Sequence, residues 1–418
     1  MASPRQGWFA YLAAMTVLVR VPTQDEWKPL AEIQSATYAQ EMSGWARWHQ
    51  VLAAGHPSDA GLRVVLHQDA IVGGLGLYRF GQMWGGREVS AVGYAGVAIA
   101  PEARGFGLAK TLMSETMREA AKHAALALLY PSTLHLYRSV GFETGGQALR
   151  MEAPISSFVR GDASLAMTRF EAQKLTDPSS PESKLARALY AERSAKWNGQ
   201  LARNESIWLR TAAPKDVTAH GFFFGDREKP EGYVVYTQPA SAGLHFDIAV
   251  RDLVLNTSRA ASRWAAFLHA QRALAGRVFW TSGGACPMVA MLDAPQAKVV
   301  EHAQWMLRIL DVEAALTTRG YAHDGEACFA LQDPLIPSNS GAFRLRVHGG
   351  AGQLERVAKS HFPQLDVRAL GALFSGTHAP ETLRLMGLVT CENEEAEGQL
   401  VSLARLFHSH LSWLPDYF

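Results

Sequence analysis

Residues 97–110 read VAIAPEARGFGLAK, a pattern that predicts a strand, a glycine-bearing turn and a helix in immediate succession. Gly105 and Gly107 would let the backbone approach a ligand closely. N–H groups at the positive end of a helix dipole can bind phosphate, and Arg104 and Lys110 add charge nearby. An isolated glycine pair is also typical of an ordinary strand-to-helix turn. The stretch therefore predicts an α/β unit with a candidate phosphate site.

Two common nucleotide-binding motifs do not fit this stretch. A dinucleotide-binding turn would carry a third glycine at position 110 and an acidic residue about 20 positions further on, but position 110 is Lys110. Its strand would also open a strand–helix–strand unit, whereas other strands precede this one. A GxxxxGK[ST] phosphate loop does not occur in the sequence.

The flanking segments extend the α/β pattern in three stretches. The first has predicted strands at 16–21, 62–67, 70–79, 92–100, 125–130 and 145–151, and helices that begin at Thr23 and span 107–123 and 134–139. The middle stretch lacks a glycine loop and has helices at 182–197 and 258–273 and strands at 221–224, 232–237 and 244–250. The last has helices at 312–319 and 400–411 and strands at 328–331 and 343–347. A break in the pattern predicts a boundary near residue 155.

Composition limits the size and class of the protein. At roughly 150 residues per domain, 418 residues predict about three domains, and 48% apolar residues exclude a disordered chain. Forty basic against 39 acidic residues leave a net charge of +1, so no global charge attracts nucleic acid or an anionic membrane. The widely separated Cys286, Cys328 and Cys391 predict reduced thiols in a cytoplasmic protein. No metal site is predicted, since His408 and His410 lie two apart in a helical pattern.

The apolar stretch at residues 7–19 is shorter than the roughly 18 to 20 residues needed to cross a bilayer. Only Arg5 precedes it, and it lacks a small-x-small cleavage site, so we predict neither a membrane anchor nor a secretory signal. The strand-like TVLVRV follows Met15 directly. This favours Met15 as the native start and residues 1–14 as an upstream extension.

Two motifs resemble those of the GNAT superfamily of N-acetyltransferases. The run RGFGLA at 104–109 is similar to its R/Q-x-x-G-x-G/A signature, which binds the pyrophosphate of coenzyme A. The run LHLYRSVGF at 134–142 resembles its fYxxxGF segment, whose tyrosine lies near the CoA sulfur. Both occur in the expected order within about the first 150 residues. The resemblance implies acetyl-CoA as the co-substrate.

The resemblance extends along the whole chain to the Eis acetyltransferases of bacteria. It rests on residues 15–27 (MTVLVRVPTQDEW), 231–236 (EGYVVY), 306–308 (MLR), 311–321 (DVEAALTTRGY) and 413–418 (WLPDYF). It implies an α/β (α+β) chain with a catalytic acetyltransferase domain at 1–155, a degenerate second copy at 156–300 and a sterol-carrier-like domain at 301–418. It also implies a homohexamer.

The resemblance assigns a cofactor site and two catalytic groups. The backbone of Val97, Ala98 and Ile99 would orient the thioester and pantetheine, the amides of Gly105, Phe106, Gly107, Leu108, Ala109 and Lys110 would bind the pyrophosphate, and Ser132 and Thr133 would also contact the cofactor. Tyr137, with an ordinary pKa of about 10, suits a general acid better than a base. Tyr130 is the second candidate for the general acid. The base implied by the family is the carboxylate of the last residue, Phe418, although a packed core tyrosine and a frayed chain end are the plain structural alternatives.

The acceptor is less well defined. Family members use acidic side chains where this chain has Gln40 and Tyr417, and the neighbouring Glu41 and Asp416 are candidate replacements. Trp45, Trp48 and Trp84 could line a cleft for an amine cation, though such residues more often pack in a core. We therefore expect a small-molecule or peptide amine acceptor, such as a polyamine, an aminoglycoside or a lysine. An acyltransferase for longer chains, a non-catalytic CoA sensor and a lipid carrier are the alternatives.

Overall fold

The computed structural model describes residues 17–55, 61–215, 217–241, 245–283, 286–358 and 360–418. The expected start at Met15 and residues 7–16 of the apolar stretch lie outside these residues, whereas residues 17–19 of that stretch belong to the first strand. The first unit consists of β1 (Val17–Arg20), α1 (Trp27–Tyr38), α2 (Met42–Ala54), β2 (Leu62–His67), β3 (Ala70–Trp84), β4 (Arg87–Ile99), α3 (Leu108–Ala120), β5 (Leu126–Leu129), α4 (Leu134–Arg138) and β6 (Glu143–Pro154). The predicted α/β class is confirmed.

The second unit repeats this order of elements. It consists of β7 (Met167–Glu171), α5 (Pro181–Ser194), β8 (Leu201–Ala202), α6 (Glu205–Ala212), β9 (Ala219–Gly225), β10 (Pro230–Thr237), β11 (Phe246–Leu255), α7 (Ser258–Ala270), β12 (Ala275–Ser282), α8 (Pro287–Ala290) and β13 (Lys298–Ile309). Ser180 caps α5 by accepting a hydrogen bond from the Ser183 amide, and Pro181 occupies the first helical position.

The two units exchange strands and share one 13-stranded sheet. Its order is β1-β2-β3-β4-β5-β13-β6-β12-β11-β10-β9-β7, with β8 paired to β3 at the side. The last strand of the second unit, β13, therefore lies between β5 and β6 of the first, and β6 pairs with β12 of the second. The domain boundary predicted between residues 300 and 301 falls inside β13.

The third unit is a smaller layer of helices on a five-stranded sheet. It consists of α9 (Val312–Thr318), β14 (Gly325–Gln332), β15 (Gly341–His348), β16 (Ala351–Arg356), β17 (Gln364–Asp366), α10 (Val367–Ser375), α11 (Pro380–Leu385), β18 (Val389–Thr390) and α12 (Glu394–Phe407). A buried ion pair between Arg308 of β13 and Asp333, 2.8 Å apart, joins this unit to the large sheet.

The last helix differs from its prediction over 400–411. It begins after Asn393, whose side chain caps it by accepting from the Ala396 amide, and it ends at Phe407. His408 and His410 therefore lie beyond the helix, in residues 408–418, which we call the tail. The tail crosses back over the large sheet, where the Trp413 amide donates to the Asn198 carbonyl and the Ser412 hydroxyl donates to the Gly145 carbonyl.

Candidate active site

Strands β4 and β5 open a cleft at the centre of the first unit. Their parallel pairing runs from Ala91–Leu126 to Tyr94–Leu129 and stops there, while β4 continues to Ile99. Beyond Tyr94 the β5-facing edge of β4 has no strand partner among the described residues, although side chains already donate to two of its carbonyls, Tyr38 to Val97 and Arg104 to Ile99. This opening lies where the sequence predicted that Val97, Ala98 and Ile99 would orient a thioester.

The pairing with β3 on the other edge of β4 shows which amides face the cleft. The Ala100 amide donates to the Val72 carbonyl at 2.8 Å. Because successive residues of a strand direct their N–H groups to opposite edges, the Ile99 amide faces the open edge. Helix α1 ties down the same segment, since the Tyr38 hydroxyl donates to the Val97 carbonyl and the Gln34 amide donates to the Gly96 carbonyl, each at 2.8 Å.

The glycine turn between β4 and α3 has the geometry of an anion-binding turn. Gly105 and Gly107 have φ angles of 88° and 76°, in the left-handed region that favours glycine, and a Cβ on either would meet no atom within 4 Å. The first turn of α3 carries no acidic side chain, and its leading N–H groups have no partner within the helix. Leu108 is buried as the anchor of the helix, whereas Phe106 and Lys110 are exposed. The turn thus fits the pyrophosphate of a coenzyme A molecule.

Tyr137 lies on α4 at the inner end of the cleft. It is 4% exposed and packs edge-on against Phe142, with ring centroids 6.2 Å apart. Burial raises the pKa of its hydroxyl above the ordinary value of 10, and the Ser132 side chain opposes this more weakly. Tyr137 is therefore a neutral phenol with a proton to donate. Ser132 and Tyr137 line one cavity, and the exposed Thr133 precedes α4 at its cap position.

The last residue of the chain is packed inside the first unit. The Phe418 ring is 8% exposed, and its centroid lies 5.1 Å from Phe80, 5.7 Å from Tyr130 and 5.9 Å from Tyr78. A Cβ on Gly93 of β4 would lie 2.6 Å from a ring carbon of Phe418. The missing side chain at Gly93 therefore creates the space that these rings enclose, which we call the ring slot.

Tyr130 holds the tail. Its hydroxyl lies 3.2 Å from the carbonyls of Leu414 and Asp416, and its ring stacks on Tyr417 at 4.1 Å with an interplanar angle of 6°. Burial raises the pKa of this hydroxyl well above 10, with smaller contributions from Tyr417 and Asp416. Because its proton is directed at tail carbonyls, Tyr130 is placed to position the last residue rather than to protonate a leaving group.

The Asp416 side chain, which comes from the tail, is buried against the second unit and away from the acceptor site. Its carboxylate pairs with the buried Arg203 guanidinium at 2.8 Å, and Arg203 also pairs with the buried Asp252. The Arg203 guanidinium lies over the Tyr190 ring, 3.9 Å from its centroid. The candidate replacement acid at position 416 is therefore an anchor for the tail, since it is paired with Arg203.

The open edge of β4, Tyr137 and Phe418 meet at one cavity of about 460 Å³, which we call the acceptor cavity. Gln40 lines it, but Glu41 is exposed at the start of α2, accepts a hydrogen bond from Ser43 and is not among the lining residues. Of the described residues that line it, only Arg210 of α6 has a formally charged side chain. Arg210 comes from the second unit, and no local pattern in the sequence indicated it.

Aromatic side chains form the rest of the wall. Trp45 and Trp48 meet edge to face at 5.2 Å, and the Trp48 indole donates to the Tyr78 hydroxyl at 2.6 Å. Burial, with a smaller effect of the nearby Tyr137, raises the pKa of Tyr38 to about 12. The third predicted tryptophan, Trp84, does not reach the cavity: it is fully buried and packs on Phe374 and Trp305. The cavity is thus mainly aromatic.

Two further findings concern metals and membranes. Within the described ranges, no group of three or more His, Cys, Asp or Glu side chains is arranged to hold a metal ion. In the same part of the chain, no helix is long and apolar enough to cross a membrane. Cys286, Cys328 and Cys391 are present as free thiols.

Family models match all three units. Models of the acetyltransferase (GNAT) domain match residues 19–145 and 199–309, and a model of the sterol carrier protein domain matches residues 312–415. The last of these begins just after β13, which agrees with the place of that strand in the large sheet.

The chain is similar over most of its length to proteins named as N-acetyltransferases. It is 26% identical over 396 residues to N-acetyltransferase Eis of Mycobacterium tuberculosis, covering 88% of this chain and 92% of the relative. A GCN5-related N-acetyltransferase from Anabaena variabilis matches with a TM-score of 0.87 at 27% identity, over 96% of this chain and 100% of the other. One from Kribbella flavida matches with a TM-score of 0.82 at 27% identity, over 97% and 100%.

Proposed function

The chain belongs to the GNAT superfamily as a homologue of the Eis N-acetyltransferases, and we propose that it transfers the acetyl group of acetyl-CoA to the primary amine of a small molecule or peptide. One observation carries the proposal. The open edge of β4, the hydroxyl-bearing Tyr137 and the final residue of the chain all line the same cavity, although they are separated by up to 321 positions in the sequence (418 − 97).

Acetyl-CoA would bind as a co-substrate along the cleft. The pyrophosphate would lie on the amides of residues 105–110, and the pantetheine would follow the open edge of β4 toward Ser132. The outward-facing Ile99 amide supports this path, because the donors of a strand edge can replace a missing strand partner. The thioester would then reach the acceptor cavity beside Tyr137.

In the proposed reaction the acceptor nitrogen attacks the thioester carbon, so that a C–N bond forms and the C–S bond breaks. The leaving thiolate takes the proton of Tyr137, whose raised pKa keeps it protonated at neutral pH. The carboxylate of Phe418 accepts the proton that the amine loses, directly or through water. An α-carboxylate has an ordinary pKa of only about 3.5, so its negative charge would also help by holding the ammonium form of the acceptor in place.

The charges of the acceptor cavity favour an amine with an aromatic or apolar body over a polycation. A polyamine or aminoglycoside carries several positive charges, and the cavity offers it the terminal carboxylate but also the Arg210 guanidinium. Gln40 is neutral and Glu41 lies outside the cavity. A monoamine can place its one nitrogen at the carboxylate and its apolar part on Trp45 and Trp48.

Family resemblance further suggests a homohexamer with a third unit that supplies the tail, and the three separated free cysteines suggest a cytoplasmic protein. The exposed apolar side chains Val299, Val300 and Leu411 are consistent with a surface covered by another copy. Sedimentation velocity would measure the assembly directly.

The test of the reaction is acetyl-CoA turnover on a panel of arylalkylamines, polyamines, aminoglycosides and lysine peptides. The full chain is compared with a chain lacking Phe418 and with a chain extended by one glycine, both of which displace the terminal carboxylate. We expect arylalkylamine turnover in the full chain and a loss of at least tenfold in both altered chains, with acetyl-CoA affinity kept. Turnover that ignores both changes would move the base elsewhere. Acetyl-CoA binding without turnover would favour a non-catalytic CoA sensor. Faster reaction with longer acyl-CoA donors would favour an acyltransferase for longer chains.

A further inference from the structure

The second unit contains a cleft at the place that corresponds to the acyl-donor cleft of the first. In the first unit, β4 and β5 are parallel, are connected through α3 and part after the pair Tyr94–Leu129. In the second, β11 and β12 are parallel, are connected through α7 and part after the pair Ala249–Phe279. A short helix follows the second strand in each unit. The opening between the strands is therefore repeated.

A bulge in the first strand is repeated as well. Between its pairings with β3, β4 has one extra residue around Gly96, two positions beyond its last pair with β5. Between its pairings with β10, β11 has one extra residue at Arg251, again two positions beyond its last pair with β12. Bulges bend a strand and are common beside active sites. The second unit thus retains the backbone device that opens the cleft.

The second cleft contains a cavity of about 420 Å³, within the range of about 300–1,000 Å³ typical of small-molecule sites. We call it the second cavity. Its walls include Val250 and Leu253 of β11, Trp280 of β12, Met288 of α8 and Trp413 of the tail. It shares no lining residue with the acceptor cavity. The second cavity therefore has its own lining, which is mainly apolar.

The second cavity lacks a place for a nucleotide diphosphate. The start of α7 has no glycine turn, and the Thr257 side chain already accepts the hydrogen bond of the Ala260 amide. The carboxylate of Glu231 accepts a hydrogen bond from the Thr257 hydroxyl and pairs with Arg259 at 3.0 Å. A carboxylate at this helix start would repel a phosphate. An occupant of the second cavity would therefore be smaller than coenzyme A.

The charges around the second cavity are mainly positive. Of the described residues that line it, Arg193, Lys196 and Arg251 are basic and Asp252 alone is acidic. That carboxylate is already used, because it pairs with Arg203 and accepts a hydrogen bond from the Tyr233 hydroxyl at 2.6 Å.

Arg193 is the cation best placed for an anion. It is half-buried, and its guanidinium donates to the neutral Gln200 side chain at 2.9 Å. Lys196, in contrast, is exposed and pairs with Glu192. An anionic head near Arg193 and an apolar body against the tryptophans would match both properties of the cavity.

We propose that the second cavity is a binding site for a small carboxylic acid with an apolar body, such as a medium-chain fatty acid. Trp413 and Pro415 line the cavity and lie in the tail, three to five residues before Phe418. A bound acid therefore restrains the segment that presents the terminal carboxylate. The effect of the acid on the terminal carboxylate, unlike the binding itself, rests on the proposed function of Phe418.

Binding is tested by titration calorimetry of the full chain with octanoate, octylamine and octanol. We expect octanoate to bind at least tenfold more tightly than octylamine, with octanol in between. Arg193→Gln should weaken octanoate about tenfold and leave octanol unchanged, whereas Arg272→Gln, which removes an exposed positive charge elsewhere in the second unit, should change neither. Cys286→Trp, at a half-buried lining position, should fill the cavity and abolish both.

The effect on the tail is tested by hydrogen exchange of residues 409–418. Octanoate should slow exchange there in the parent chain but not in Cys286→Trp, whose unchanged acetyl-CoA affinity and melting temperature would show that it is folded. Equal binding of octanoate and octylamine, binding that survives both Arg193→Gln and Cys286→Trp, or no binding at millimolar octanoate would each overturn the proposal. All these measurements are independent of acetyl transfer, so they distinguish this site from a failure of the proposed reaction.

Discussion

A side chain at Gly93 would test whether the ring slot positions the terminal carboxylate. In Gly93→Ala the new Cβ would lie 2.6 and 2.7 Å from two ring carbons of Phe418 and 2.7 Å from the Phe80 ring. Carbon atoms pack best at about 3.5–4.0 Å, so both contacts must lengthen by about 1 Å. Phe418 lies outside any strand or helix, whereas Phe80 is held within β3, so we expect the larger movement at Phe418.

The expected result is a large loss of activity with a small loss of stability. A displacement of about 1 Å in a reacting group can lower the rate about 100-fold, whereas overpacking of this kind costs about 1–3 kcal/mol. Acetyl-CoA affinity should change less than twofold, because the open edge of β4 begins beyond Tyr94. The assay is steady-state acetyl transfer to the best amine of the panel, together with acetyl-CoA titration and thermal unfolding.

Two variants complete the test. Gly398→Ala places the same methyl group in α12 with no atom within 4 Å, and it should leave activity unchanged. Gly93→Ala combined with Phe418→Leu shortens the displaced side chain while keeping a terminal carboxylate, and it should recover at least tenfold of the loss. Activity of Gly93→Ala within threefold of the parent chain would refute the idea that the ring slot positions the carboxylate.

Three further changes test other parts of the site. Tyr137→Phe removes the proposed proton donor and should lower kcat by about 10²–10⁴-fold with acetyl-CoA affinity kept. Because burial raises the pKa of Tyr137 above 10, the rate of the parent chain should not fall below pH 10 through deprotonation of Tyr137. Arg203→Met leaves the carboxylates of Asp416 and Asp252 buried without their cation, so it should lower the free energy of unfolding by about 3–5 kcal/mol, measured by denaturant titration. If an Asp416→Asn chain is as stable as the parent chain, the pair does not anchor the tail. His49, buried against Trp48, hydrogen-bonds Gln34 at 2.8 Å, and burial lowers its pKa to about 4. The His49 ring is protonated near pH 6.5 in the unfolded chain but only near pH 4 in the folded chain. The free energy of unfolding should therefore be highest above about pH 6.5 and should fall by at most about 3 kcal/mol between pH 6.5 and 4. In His49→Gln this part of the pH dependence should disappear.

The local features of the site could be predicted from the sequence because they depend on neighbours in the chain. The strand, glycine turn and helix at 97–110 follow from residue pattern and from the φ angles that Gly105 and Gly107 allow. The proposal for Tyr137 comes from a short motif, the run LHLYRSVGF at 134–142. Each of these signals lies within about fifteen residues.

The features that the sequence could not predict depend on contacts between distant segments. The insertion of β13 between β5 and β6 depends on which strand edges meet, and the alternation of residues within a strand does not specify its partner. Arg210 reaches the acceptor cavity from the second unit, and Asp416 turns to Arg203 instead of the acceptor. The sequence offered Glu41 and Asp416 as acids because they adjoin the family positions, but one step along the chain redirects a side chain.

The strand exchange and the tail together make the candidate active site a property of the whole chain. β5 leads into Tyr130 and the helix that carries Tyr137, and its second neighbour in the sheet is β13 from the second unit. All four residues of β5 are buried, so without β13 this strand would present an apolar edge to water. The tail then brings the last residue back across the second unit, where Arg203 holds Asp416. Acetyl transfer through Phe418 would therefore require all three units in place, which gives the second unit a structural role in the proposed reaction.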